Sequence, residues 1–149
     1  MHLKLNLYNQ CCDMLNARLE VIEKTISDIQ NALETETKST AGDKHETGRA
    51  MLQIEREKAG RQLAEIQKQQ ELLNRIDPET ELNTVALGSI VFTSTSHYFL
   101  GLSLGELKAG TDTFYAISMA TPIAKLLVSK SVGDTVIFRE QQMTITKIL

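Results

Sequence analysis

Apolar residues recur at steps of three and four along the first part of the chain. The positions are Leu5, Tyr8, Cys12, Leu15, Leu19, Ile22, Ile26, Ile29 and Leu33. This spacing is typical of a heptad seam, and residues 1–41 contain no Gly or Pro that would interrupt a helix. Because a stripe this narrow cannot enclose a core by itself, it needs a partner helix.

A second, weaker heptad supplies that partner. Its apolar positions are Leu52, Ala59, Leu63, Ile66 and Leu73, with the polar residues Arg56 and Gln70 at intervening positions. Residues 34–47 are rich in Thr, Ser, Gly and charged residues, break the period and can reverse the chain. We therefore predict an antiparallel coiled-coil hairpin with arms of about 28 residues, each roughly 40 Å long at 1.5 Å per residue.

The pattern changes towards the C-terminus, where short segments are rich in β-branched and aromatic residues and are separated by glycines. The predicted strands are residues 89–93, 97–100, 113–117, 134–138 and 143–148. One helix is expected between them, with Thr121 as its N-cap and Pro122 in its first turn. The predicted class is α+β, with a coiled-coil hairpin (1–76), a linker (77–83) and a small antiparallel β-sheet domain with one helix (84–149).

Charge narrows the range of partners. The chain has 16 basic and 19 acidic residues, and no segment is strongly basic: the net charge is −1 in the hairpin, −3 in the linker and +1 in the C-terminal domain. Proteins that bind nucleic acid through its phosphates use a basic surface, so we expect no independent nucleic-acid binding.

The remaining composition favours a cytoplasmic protein. We expect no membrane span and no secretory signal peptide, because no apolar run approaches 18 residues and the start of the chain lacks a cationic segment followed by an apolar one. The adjacent Cys11 and Cys12 form no disulfide framework. Cys12 falls on the heptad seam and is expected in the core, Cys11 is expected to be exposed, and a redox role is left open.

Candidate catalytic residues are scarce. His2, His45 and His97 are scattered, which argues against a histidine metal cluster. The pair that remains is Asp43 and Glu46, three residues apart in the segment where the chain reverses. They fit a capping box with Asp43 as the N-cap, and they also fit a Mg²⁺ site, because Mg²⁺ prefers oxygen ligands and often takes one or two carboxylates. The two interpretations are compatible.

Two stretches of the sequence resemble the bacterial Gre transcript-cleavage factors, GreA and GreB. Residues 42–46 (Gly-Asp-Lys-His-Glu) match the family's tip pattern of Gly-Asp, two residues, then Glu. Residues 117–134 resemble the longer family signature of Ile-Ser, Ser/Thr-Pro-Ile-Ala, Leu, Gly-Lys and Gly-Asp in spacing and residue type. The chain length and the order of hairpin and sheet agree as well.

The resemblance implies an FKBP-like C-terminal domain that docks at the rim of the secondary channel of RNA polymerase. It implies that the coiled coil enters this channel and that Asp43 and Glu46 help to hold the second Mg²⁺ at the polymerase active centre. Backtracked RNA would then be hydrolysed, with the RNA 3′ end reached only at that centre. The chain would not be an enzyme itself but an accessory factor that stimulates the intrinsic RNA cleavage of the polymerase.

Three alternatives stay open. Thr47-Gly48-Arg49-Ala50 replaces the usual family continuation Asn-Ala-Glu-Tyr, which favours a regulator that binds the same channel without cleavage. A prolyl isomerase is conceivable because the FKBP-like fold hosts such enzymes, but fold does not carry function and no residues indicate an aromatic-lined proline pocket. The last alternative is a homodimeric coiled-coil adaptor in which the seam pairs between chains.

Overall fold

The computed structural model describes residues 2–38 and 43–149, without the side chains of residues 37, 38 and 43–46. The elements are, in order, α1 (Leu3–Lys38), α2 (Asp43–Asn74), β1 (Ile90–Thr93), β2 (His97–Gly101), β3 (Gly105–Ala109), β4 (Asp112–Ser118), α3 (Pro122–Leu127), β5 (Thr135–Phe138) and β6 (Gln141–Ile148). The predicted α+β class is confirmed: two long helices precede a six-stranded sheet that includes one short helix.

The chain forms two compact units, which are described separately. One unit is Leu15–Gln70, and the other combines Met1–Met14 with Glu71–Leu149. Within the described ranges, no helix is both long enough and apolar enough to cross a membrane.

In the unit Leu15–Gln70, α1 and α2 pack against each other along their apolar stripes. Ile22 and Ile66 line one shared groove, and Ile29 and Ala59 line another. Residue numbers rise along α1 while they fall along α2, so the two helices are antiparallel. The buried residues of this core are Ile22, Ile29, Ala59 and Ile66, with Leu19, Ile26, Leu33, Leu52 and Leu63 packed against them. The predicted pairing of the two heptads is thus confirmed here.

Both helices are longer than the predicted arms. α1 has 36 residues and α2 has 32. Residues 34–38 lie in α1 and residues 43–47 lie in α2, although the composition of residues 34–47 suggested a reversal. The Thr35 hydroxyl donates a hydrogen bond to the Asn31 carbonyl one turn earlier, at 3.1 Å. A Thr side chain bonded in this way is compatible with a helix.

The sheet has the strand order β3-β4-β2-β1-β6-β5. All neighbouring pairs are antiparallel except β2 and β4, which run parallel. The sequence prediction missed β3, because Leu107 is its only buried residue and its pattern is too sparse to mark a strand. The short helix α3 begins as predicted, since the Thr121 hydroxyl accepts a hydrogen bond from the Ala124 N–H.

Both faces of the sheet contribute to the core. One face packs with α3 and contains Val85, Val91, Leu100, Ile123, Ala124, Leu127, Val136, Met143 and Ile145. Because side chains alternate along a strand, Phe99 of β2 points to the opposite face, where it is also buried. The His97 ring lies on that face too, 4.8 Å from the Phe92 ring and 5.5 Å from the Phe114 ring.

The first turns of α1 differ from the predicted seam. The seam prediction places Leu5, Tyr8 and Cys12 in the core, whereas the structure buries Leu7 and Cys11 instead. These turns belong to the unit that contains the sheet. Two side chains of these turns contact that unit, since Lys4 bonds to the Thr80 carbonyl and Gln10 bonds to the Lys108 backbone.

The Ile76 side chain lies close to the backbone at two glycines, Gly88 and Gly101. Gly88 has φ +89°, and a Cβ atom placed there would lie 2.9 Å from Ile76 Cγ2. A Cβ atom at Gly101 would lie 3.1 Å from Ile76 Cδ1. The Ile76 side chain, which is almost fully buried, therefore packs tightly against both glycines, most tightly against Gly88.

Replacing Gly88 should test this close approach. Gly88→Ala combines a left-handed backbone, which costs about 1–2 kcal/mol for a residue with a Cβ atom, with overpacking against Ile76, which costs about 1–3 kcal/mol. Gly110→Ala is the matched control, because Gly110 also has positive φ but no atom lies within 4 Å of its Cβ position. Chemical denaturation should give a clearly larger loss for Gly88→Ala; equal losses would contradict the contact with Ile76.

Candidate functional site

The predicted carboxylate pair lies at the start of α2. The helix begins at Asp43, and Glu46 follows within its first turn. The side chains of both residues are outside the described part of the structure, so their role as metal ligands stays a prediction. Among the residues whose side chains are described, no group of three or more His, Cys, Asp or Glu could hold a metal ion.

Gly48 lies one turn further along α2. Its missing Cβ atom would be 3.4 Å from the Glu36 carboxylate of α1, which is an ordinary van der Waals distance. Glu36 is half-buried. The helix thus continues through Gly48, with an acidic side chain of α1 packed beside it.

The signature segment, residues 117–134, forms the end of β4, the helix α3 and the turn that leads into β5. Its polar residues satisfy backbone groups. The Thr121 hydroxyl donates to the Ser118 carbonyl at 2.8 Å, and the Asp134 carboxylate accepts from the Ser131 N–H at 2.8 Å. Much of this motif therefore specifies the local fold.

Ser129 occupies the position where the family signature has glycine. Its φ is +68°, in the left-handed region that favours glycine. The Ser129 N–H donates to the Val85 carbonyl at 2.8 Å, which holds the backbone in this conformation. The geometry that glycine would suit is therefore retained in this chain with a serine.

Lys4, which is not among the predicted site residues, makes a buried polar contact. Lys4 is 6% exposed, and its ammonium group donates to the Thr80 carbonyl at 2.5 Å. Burial lowers the pKa of Lys4, and the nearby Asp77 and Glu81 carboxylates partly oppose this shift. The signal in the sequence is that Lys4 shares one helical stripe with Leu7 and Cys11.

Asp77 organises the turn that receives Lys4. Its carboxylate accepts hydrogen bonds from the Thr80 hydroxyl at 2.6 Å and from the Glu79 N–H at 3.0 Å. The hydrogen bond from Thr80 has the larger effect and the one from Glu79 the smaller, and both lower the pKa of Asp77. A cavity of about 510 Å³ adjoins this turn, and Lys4, Lys147, Glu79 and Glu81 are among its lining residues. Such a mixture of charges does not select one class of ligand.

The predicted burial of the two cysteines is wrong: Cys12 was expected in the core and Cys11 at the surface. Cys11 is buried and Cys12 is half-buried. Burial raises the pKa of Cys11 to about 12. Burial also raises the pKa of Cys12, although a hydrogen bond with Tyr8 opposes the shift. Neither thiol is in an environment that favours the reactive thiolate.

Comparison with known proteins gives a weak structural likeness. Neither the protein-family models nor the curated proteins match this chain. A solved structure described as "Structure of the transcription factor Gfh1" is similar to it. The two share 15% sequence identity over 96% of this chain and 93% of that one, with a TM-score of 0.35. A likeness of this size carries no argument about function.

Ser129→Gly should stabilise the protein. Glycine removes the left-handed strain, so the free energy of unfolding should rise by about 1 kcal/mol. Val128→Gly is the neighbouring control, because Val128 has φ −57° and gains nothing from glycine. Urea denaturation of both variants measures the difference, and a loss of stability in Ser129→Gly would contradict the strain.

The thiols should react in the order of their exposure. With Cys12→Ala, which leaves only Cys11, alkylation of the native protein should be very slow, because thiolate is the reactive form. With Cys11→Ala, the half-buried Cys12 should react faster. Both should react alike after unfolding in denaturant. Fast labelling of native Cys11 would contradict its burial.

Proposed function

We propose that this chain is a Gre-like accessory factor that binds RNA polymerase and stimulates Mg²⁺-dependent cleavage of backtracked RNA. The observation that carries the proposal is the placement of Asp43 and Glu46, in the pattern of the Gre tip, within the first turn of α2. The longer signature over residues 117–134 supports the same family resemblance.

The helices suit the proposed insertion into the secondary channel. At 1.5 Å per residue, helices of 36 and 32 residues extend roughly 50 Å. The carboxylates would be carried at the end of an antiparallel pair, in a space too narrow for a globular domain. The narrow apolar seam keeps that pair two helices thick.

The proposed chemistry depends on shared ligands. Asp43 and Glu46 supply carboxylate oxygens, which suit Mg²⁺ but fill only part of its coordination shell. The polymerase and water would supply the other ligands. Two-metal hydrolysis of a phosphodiester gains from the second metal because both the attacking and the leaving oxygens are stabilised. The chain would lend ligands without being a cleavage enzyme itself.

A second candidate function uses the same surface without cleavage. It is favoured by Thr47 and Gly48, which stand where the family has Asn and Ala, and by the absence of the family's Glu-Tyr at residues 49 and 50. In this case the chain would bind in the channel and alter initiation or pausing, and Asp43 and Glu46 would be dispensable.

The two functions are separated by a transcript-shortening assay. Stalled elongation complexes incubated with the protein and Mg²⁺ should yield shortened transcripts, and Asp43→Asn should reduce the rate to the level of the polymerase alone if the carboxylate holds the metal. Glu57→Gln, an exposed acid elsewhere on α2, is the control and should retain full activity. No shortening above the polymerase-alone rate would reject the cleavage function, and polymerase binding that survives Asp43→Asn would then identify the non-cleaving regulator.

A further inference from the structure

One face of the α1–α2 pair carries a long cleft. Within the unit Leu15–Gln70, cavities of about 520 and 510 Å³ open between the two helices. Arg18 lines the first cavity, and Thr25 and Ala32 line the second. These residues are seven apart, so both cavities lie on the same face of the pair. Gln62 of α2 lines both cavities, which therefore form one continuous cleft.

The floor of the cleft is apolar, because it is the seam between the helices. Ile22 lies opposite Ile66 in the first cavity, and Ile29 lies opposite Ala59 in the second. Val21, on the α1 wall, is 67% exposed. The cleft is therefore suited to burial against another apolar surface. On the other side of the seam, the flanking positions of α1 are polar and exposed, namely Glu20, Glu23, Ser27 and Gln30.

Charged side chains stand on both walls of the cleft. Arg18 of α1 and Glu65 of α2 line the first cavity, and Asp28 of α1 and Lys58 of α2 line the second. Within the described chain neither of these pairs forms an ion pair, and Asp28 contacts Lys24 of its own helix instead, at 3.1 Å. Each pair thus places opposite signs on the two walls.

We propose that the cleft is a self-association surface that packs face to face with the cleft of a second copy of this chain. A two-fold axis parallel to the helices keeps every residue at its own height and places α1 of each copy on α2 of the other. Arg18 then meets Glu65 of the other copy and Asp28 meets Lys58, and the symmetry makes each contact twice. The resulting four-helix bundle does not rest on the proposed role at RNA polymerase.

The charges select a second copy as the occupant. An uncharged helix in the cleft would cover Arg18 and Glu65 without giving either a partner, whereas a second copy supplies the opposite charge to both. Glu55, the other charged residue of the cleft, lies on the α2 wall opposite Ala32. It therefore meets an uncharged wall in the dimer.

Turning the second copy end over end is the other way to join two clefts face to face. When Arg18 then meets Asp28 of the other copy, Glu65 meets Glu65 of the other copy. The reason is that Ile66 lies opposite Ile22, so Glu65 is at the height of residue 23, midway between residues 18 and 28. Like charges at the centre of the contact disfavour this arrangement.

Charge reversal tests the pairing in the full chain by sedimentation velocity over a wide range of concentration. The cleft follows residues 17–32 of α1, roughly 20 Å of helix, so the contact is small and the unmodified protein should associate as concentration rises. Arg18→Glu and Glu65→Arg should each weaken self-association about 10-fold, because two attractive pairs become repulsive. An equimolar mixture of the two variants should recover association, since both facing pairs in the mixed dimer are again opposite in sign.

Arg61→Glu is the matched control, because it makes the same charge change as Arg18→Glu at an exposed residue of α2 that lines neither cavity. It should leave association unchanged, and thermal melts should show that all variants are folded. A monomer at every concentration would overturn the proposal. So would an association that Arg18→Glu weakens no more than Arg61→Glu does, or a mixture that fails to recover, as expected for the end-over-end arrangement.

Discussion

The side chain of Ile76 packs tightly against the backbone of two glycines. It lies so close to Gly88 and Gly101 that a Cβ atom at either position would press against it. Gly88 also donates its N–H to the Leu100 carbonyl at 2.7 Å, so the backbone that receives Ile76 is fixed by the sheet. The Lys4 ammonium group of α1 donates a hydrogen bond to the carbonyl of Thr80, which follows Ile76 closely in the chain. These contacts join the first turns of α1, the end of α2 and the sheet into a single compact unit.

The helical prediction succeeds along the middle of α1 and fails in its first turns. From Leu19 to Leu33, a heptad spacing indicates a partner helix, and α2 provides it. Before Leu15, the buried positions are Lys4, Leu7 and Cys11, in the part of α1 that belongs to the unit containing the sheet. Both stripes use steps of three and four, so periodicity alone cannot distinguish a helical neighbour from a sheet. The burial of Lys4 cannot be predicted from its sequence context, because it depends on the hydrogen bond to the Thr80 carbonyl.

Some strands are predictable from their own residues, and one depends on its neighbours in the fold. Five of them carry enough β-branched and aromatic residues to be predicted, whereas β3 (Gly-Glu-Leu-Lys-Ala) does not. It is a strand because β4 pairs with it along its whole length and because Gln10 completes hydrogen bonds at Lys108. The signature segment is more predictable, since Thr121 caps α3 and Asp134 closes a turn through contacts only three residues away. These local roles also mean that the signature reports the fold more directly than it reports function.

The proposed function therefore rests mainly on the position of Asp43 and Glu46. The break in the heptad predicts that they lie where the chain reverses, and α2 indeed begins at Asp43. The first turn of a helix has N–H groups without intrahelical partners and a partial positive charge, so two neighbouring carboxylates are tolerated there without a metal. An incomplete ligand set at such a place does not require Mg²⁺ for folding. Because two carboxylates leave most of the metal's coordination shell open, metal binding would depend on the partner that supplies the remaining ligands.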